Sequence, residues 1–142
     1  MADESAAQVF GPMIEKAKTG GVSLKVDPAV FLTLDKAMDR RMSELRQIQA
    51  IVNTIGESQS WGLGESAPPL TSAQTIVQRF RQKASNGANN AFDTLEGHYK
   101  AAEQLQTLFR TIRERFEQTD QAFAARFHEL KLAQRPEHGG GR

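Results

Sequence analysis

"FLTLDKAMDRRMSELRQIQAIVNTIG", residues 31–56, decides how this chain folds. Phe31, Leu34, Met38, Leu45, Ile48, Val52 and Ile55 alternate by threes and fours, interrupted only by Arg41. That spacing lines them up on one stripe of an α-helix, a heptad seam. Just upstream, Asp27 is a good N-cap and Pro28 suits the first helical position, where its missing N–H is not needed. Gly56 is placed to end the helix. The expected helix over 28–55 is about 42 Å long at 1.5 Å per residue.

A second seam lies further on. Ala91, Leu95, His98, Ala102, Leu105, Phe109, Ile112, Phe116, Thr119 and Phe123 share a stripe, with Phe109, Phe116 and Phe123 recurring every seven residues. Phe127 and Leu130 continue it with drift, so one last helix is expected over about 91–132. Two long helices with facing seams predict an all-α fold: an antiparallel helical hairpin with extra short helices, an elongated coiled-coil-like bundle. Residues 27–133 form the hairpin, 1–26 an N-terminal arm and linker, and 134–142 a Pro- and Gly-containing flexible tail.

Between the seams, residues 57–71 hold Gly62, Gly64, Pro68, Pro69 and the chain's one tryptophan, Trp61. Thr71 and Gln74 then read as a capping box. Ala73, Ile76, Val77, Phe80 and Ala84 give a short apolar face, and "SNGANN", residues 85–90, reads as a kink or break, with a distorted continuous helix as the alternative. In the arm, Ala6, Val9, Phe10, Met13, Ile14 and Ala17 have helical spacing, but Pro12 predicts two short pieces. Residues 22–26, "VSLKV", read as an extended linker rather than a strand, because no partner strand is visible.

The last helix is expected to be longer than the first, so part of its Phe-rich face needs other cover. The N-terminal arm, residues 71–85 or a second chain could supply it. The expected partner interface is Phe109, Phe116, Phe123 and Phe127, since monomers seldom expose such a patch. Arg113 with Glu117 and Glu96 with Lys100 are i,i+4 pairs of a solvated face.

The chemistry that is missing narrows the function. The 142-residue chain carries 18 Lys and Arg against 17 Asp and Glu, a net charge of +1, so nucleic-acid binding is not suggested. There are no cysteines, which excludes disulfides and cysteine–zinc sites. No apolar run reaches the length of a membrane span, and the acidic start is not a Sec-type signal peptide. His98 falls on the seam as an expected packed residue, and His128 and His138 have no carboxylate pattern around them that a metal would use. No nucleotide loop, nucleophile elbow or cofactor site is indicated, and no catalytic activity is expected.

Trp61-Gly62-Leu63-Gly64 on the connecting turn and Tyr99-Lys100-Ala101-Ala102-Glu103 on the second arm, set in a helical hairpin, resemble the WXG superfamily of type VII (ESX) secretion substrates of actinobacteria and related bacteria. The opening "EKAKTGGVSLKVDPAVFLTLDKAM" looks like the start of helical proteins associated with that system. The resemblance covers roughly residues 14–130, with two departures. Leu63 stands where the Trp-x-Gly pattern has glycine, and Tyr99 and Glu103 lie in mid-helix rather than beyond it. The resemblance implies a protein that pairs with another helical hairpin, is recognised by a membrane-bound FtsK/SpoIIIE-type ATPase and is exported folded without a Sec signal. Trp61, Gly62, Gly64, Tyr99 and Glu103 would then carry secretion or partner recognition. Read from the residues alone, Trp61 plugs the end of the hairpin and shields Ile55 and Leu70, Tyr99 is a half-buried helix residue, and Glu103 is a surface charge. The alternative function is a cytosolic coiled-coil structural or adaptor protein that self-associates, with Phe116 and Phe123 at its interface.

Overall fold

A computed structural model describes residues 10–20 and 27–135. Five α-helices follow in order: α1 Gly11–Lys18, α2 Pro28–Glu57, α3 Thr71–Ala84, α4 Ala91–Thr119 and α5 Gln121–Ala133. No strand occurs among the described residues, so the chain is all-α. No helix of the described residues is long and apolar enough to cross a membrane. Residues 4–9, the 22–26 linker and the tail from 136 onward lie outside the described residues.

The helix ends explain most of the departures from expectation. Asp27 starts α2, its Oδ1 accepting the Ala29 N–H at 2.9 Å. Gly56 does not stop this helix, which continues to Glu57. The glycine serves a close approach: a Cβ built on it would collide with Ser85 Oγ. No capping box forms at α3. Thr71 is its first helical residue, Leu70 occupies the cap without a side-chain bond, and the Leu70 carbonyl accepts from Ala73 and Gln74. Pro12 sits in the first turn of α1, where a missing N–H costs nothing, so a helix starts at Gly11; the piece expected before it lies outside the described residues.

Residues 85–90 are a true break. Ser85 is extended, and Asn86 and Asn89 adopt left-handed backbone with φ of 63° and 54°, a region asparagine tolerates better than most residues. Asn90 then caps α4: its Oδ1 accepts the Asp93 N–H at 2.8 Å and its amide donates to the Gly87 carbonyl at 2.6 Å.

The expected single helix over 91–132 is also broken, at Asp120. Its backbone is extended (φ −135°, ψ 104°), and Oδ1 accepts the Phe123 N–H at 3.0 Å. Phe116 and Phe123 would sit about 10.5 Å apart along a continuous helix. After the break their rings stack with centroids 5.3 Å apart.

The chain divides into two compact units. One comprises the described residues of Gln8–Asp39 and Glu103–Arg142, called here the second unit. Its core is Ala17, Phe31, Leu108, Ile112, Phe123 and Phe127, with Phe10, Ile14, Leu32, Leu105, Phe109 and Phe116 packed around it. Phe31 meets Phe123 edge-on at 5.8 Å, and Phe127 stacks parallel to Phe123 at 6.4 Å. Burying each such ring is worth about 1.5–3 kcal/mol. Polar bonds fix the helices laterally. Arg110 forks onto the Asp35 carboxylate at 2.5 and 3.0 Å, and buried Gln106 donates to Asp39 Oδ1 at 2.7 Å. Partner numbers on α4 fall as α2 numbers rise (31 with 116, 35 with 110, 39 with 106), so the two segments run antiparallel here.

The expectation of a partner interface at Phe109, Phe116, Phe123 and Phe127 is corrected at Phe123 and Phe127. Phe123 and Phe127 are buried within the chain, and Phe109 and Phe116 are half-buried against the same core. The cover comes from α1 and from α5 turning back on the aromatic cluster. Arg113 also lies over Phe127, 5.0 Å from its centroid, and reaches Glu117 at 3.6 Å.

The first unit, Arg40–Ala102, is built differently. Its buried residues include Leu45, Val77, Ala84 and Ala102, but also Gln49, Ser85 and Asn90. The α2 stripe that turns inward is Leu45, Gln49 and Gly56, with Val52 half-buried beside them. Expected seam members Ile48 and Ile55 point outward instead, 44% and 43% exposed. Both lines satisfy a three-four alternation. The polar one is buried because Gln49 donates to the Phe92 carbonyl at 3.2 Å and to Glu96 at 3.0 Å, while Gly56 admits Ser85. His98, expected on the seam, is exposed, as is Arg41.

A candidate association surface

The Trp-bearing loop is ordered by one carboxylate. Glu65 accepts the backbone N–H groups of Trp61, Gly62 (3.2 Å) and Leu63 (2.8 Å). Gly62 and Gly64 take the positive φ values, 69° and 88°, that let the chain wrap around this acceptor. The backbone bonds, that of Trp61 foremost, hold the Glu65 carboxyl down to about 2. The turn is tied to α3 by Arg81, whose guanidinium donates to the carbonyls of Ser58 (2.6 Å) and Gln59 (3.0 Å).

Trp61 lies on Phe80 of α3, ring centroids 5.6 Å apart and planes at 22°. With Thr54, Ile55, Ser58 and Ser60 it lines a recess of about 300 Å³. It is half-buried and does not shield Ile55 or Leu70, both of which stay exposed. The expected plug is corrected on that point: the indole packs sideways on α3 rather than over those two side chains.

The stack joins two exposed apolar stripes. Ile48, Ile51 (59% exposed) and Ile55 follow one face of α2, and Ile76 and Phe80 follow one face of α3. Leu63 and Leu70 add exposed apolar surface in the loop. Ile55 and Trp61 share the recess, and Trp61 covers Phe80, so the stripes form one continuous face. Folded monomers rarely leave so many large apolar side chains contiguous and wet.

The recognition residues implied by the resemblance are only partly brought together. Trp61, Gly62 and Gly64 share the Glu65-centred turn. Tyr99 is half-buried elsewhere in the first unit, under the Arg46 guanidinium, whose central carbon is 3.6 Å from the ring centroid. Arg46 also pairs with Glu96 and donates to Gln49 Oε1 at 2.7 Å. The Gln49 amide and then Arg46 hold the Glu96 carboxyl below its ordinary value. Glu96 thus bonds across to α2 rather than serving only the surface pair expected with Lys100. Glu103 is an exposed residue of α4. No group of three or more His, Asp and Glu among the described residues is placed to hold a metal ion.

Sequence reasoning placed Phe80 on an apolar face but missed its exposure, the outward isoleucines and the anchor Glu65. A signal for the isoleucines was present: Ile48, Ile51 and Ile55 form a stripe beside the polar line through Gln49. Compared with protein-family models, curated proteins and solved structures, the chain matches none.

Proposed function

We propose that this chain is a non-enzymatic helical hairpin that works by associating with another protein, as a type VII secretion substrate or the helical partner of one. The observation that carries the association is the exposed apolar face joining Ile48, Ile51 and Ile55 to Trp61, Phe80 and Ile76. It replaces the phenylalanine face read from the sequence. The hairpin reading is supported in each unit separately. In the first unit Arg46 pairs with Glu96 and Gln49 with Phe92; in the second, Asp35 pairs with Arg110 and Asp39 with Gln106. In both, α2 and α4 numbers run in opposite senses. The export reading rests on the resemblance of the Trp-Gly turn and of the Tyr99–Glu103 spacing, and FtsK/SpoIIIE-type recognition belongs to it.

Export is tested by producing the protein in an actinobacterium with a working type VII system and in a strain lacking its ATPase. The protein is expected in the culture filtrate of the first only, and Tyr99→Ala with Glu103→Ala should remove it from the filtrate while cellular levels persist. Equal filtrate levels in both strains would reject export by this route. The cytosolic adaptor reading predicts instead a homodimer in sedimentation that Ile51→Asp dissolves.

A further inference from the structure

The joint between α3 and α4 carries a chemistry that association does not use. Asn86 and Gly87 stand side by side there, and the fold requires each for its own reason. Asn86 is exposed and left-handed at φ 63°, a backbone that asparagine accepts more readily than most residues with a side chain. A Cβ on Gly87 would stand 2.5 Å from the Gln82 carbonyl oxygen, a main-chain obstacle that cannot turn aside. The two demands together set an asparagine before the one residue that has no side chain to shield its amide nitrogen.

The chain's other three asparagines, Asn53, Asn89 and Asn90, are placed differently. Asn53 lies inside α2, where the next amide is committed to the helix, and its own amide donates to Glu57 at 3.0 Å. Asn90 is buried; its Oδ1 caps α4, and its amide donates to the Gly87 carbonyl and the Asp93 carboxylate, both at 2.6 Å. Asn89 is exposed, but the side chain of Asn90 follows it and crowds the amide that would attack. The Asn86 amide is held among the described residues only by the adjacent Ser85 Oγ, at 3.3 Å.

We propose that Asn86 is a site of spontaneous deamidation in the folded protein, and that the product loosens the α3–α4 joint. The Gly87 nitrogen gives its proton to hydroxide and attacks Asn86 Cγ. The N–Cγ bond forms, the Cγ–Nδ2 bond breaks, and ammonia leaves with a proton taken from water. Attacker and target belong to neighbouring residues, so the step is intramolecular and needs no enzyme. Water then opens the cyclic imide at either carbonyl. Opening at Cγ leaves aspartate; opening at the main-chain carbonyl leaves isoaspartate, whose chain runs through Cγ and is longer by a methylene. The net exchange is water in and ammonia out, with no oxidation or reduction. Either product replaces a neutral amide by a carboxylate, takes the formal net charge from +1 to zero, and puts the new charge just past the negative end of α3. Isoaspartate also lengthens the main chain between Ser85, which fits closely against Gly56, and Gly87, which fits closely against Gln82.

The test ages the purified full chain at mildly alkaline pH. Acidic species are followed by ion exchange, and trypsin releases residues 84–100 as one fragment that carries Asn86, Asn89 and Asn90 together for mass spectrometry. Product at Asn86 should exceed that at each other asparagine by at least about tenfold. Asn86→Gly, which takes a positive φ without steric cost, should stop the acidic species from accumulating. The aged species, once isolated, should unfold at a lower guanidinium concentration than fresh protein. Product mainly at Asn53, Asn89 or Asn90, or an acidic species that persists in Asn86→Gly, would overturn the site. Deamidation more than about a hundredfold slower in the folded chain than in the guanidinium-unfolded chain would show that the joint protects Asn86, and would overturn it as well. An aged species with the fresh midpoint would overturn the loosening.

Discussion

Glu65 shows how one side chain replaces a length of regular structure. Residues 61–64 have no helix to satisfy their amides, and the carboxylate accepts three of them at once. These bonds favour the charged form, so its folded value lies near 2, against about 4.5 without them. A depressed carboxylate contributes stability that is complete above the unfolded value and is lost as pH falls through the folded one. The turn should therefore hold from neutral pH to about 4.5 and loosen progressively between there and about 2. Trp61 emission, read against pH, should be flat above that window and shift within it. Glu65→Gln should remove this acid-dependent step and start from an already altered emission at neutral pH. A wild-type profile unchanged down to pH 2 would show that the carboxylate does not organise the turn. The sequence "WGLGESAPP" announces a turn through its glycines and prolines, but nothing in it says which acceptor the amides find. That depends on a three-dimensional wrap.

At the scale of the elements, strong local signals were readable and choices between equal patterns were not. The start of α2 at Asp27-Pro28 and the turn-formers of 85–90 were legible because capping and left-handed backbone are local chemistry. The break at Asp120 was not, because Phe109, Phe116 and Phe123 keep a seven-residue spacing that also fits an unbroken helix. Tertiary contact decided: turning α5 back puts Phe123 between Phe31 and Phe116. Asp120 should accordingly matter as a cap. Asp120→Ala is expected to cost about 1 kcal/mol, the usual price of a lost N-cap, read in urea denaturation. Asp120→Asn, which can still accept the Phe123 amide, should restore most of it. A loss under a few tenths would mean that packing alone sets the break. Likewise, Ile48 and Gln49 compete for the inside of α2 on spacing that fits both. Hydrophobicity favours the isoleucine; the Phe92 carbonyl and Glu96 favour the glutamine, and only the fold places them there.

Across the whole molecule, the two units bury different kinds of residue. The second rests on aromatic packing, the first on small and polar side chains that cover less apolar area. Since local opening follows the buried contacts that must be broken, the single helix α2 should exchange unevenly. Amides around Asp35–Met38 are expected to exchange at least about tenfold more slowly than those around Leu45–Val52, a difference of about 1.4 kcal/mol in opening free energy. Uniform protection along α2 would contradict it. The polar line has one more effect. A purely apolar seam can slip by a turn and find new contacts of similar worth. Sliding α2 past α4 in the first unit would separate Arg46 from Glu96 and strand the buried Gln49 amide, the latter at about 1–3 kcal/mol. Gln49 and its neighbours thus work as a detent: they add little adhesion and forbid the helices every alignment but one.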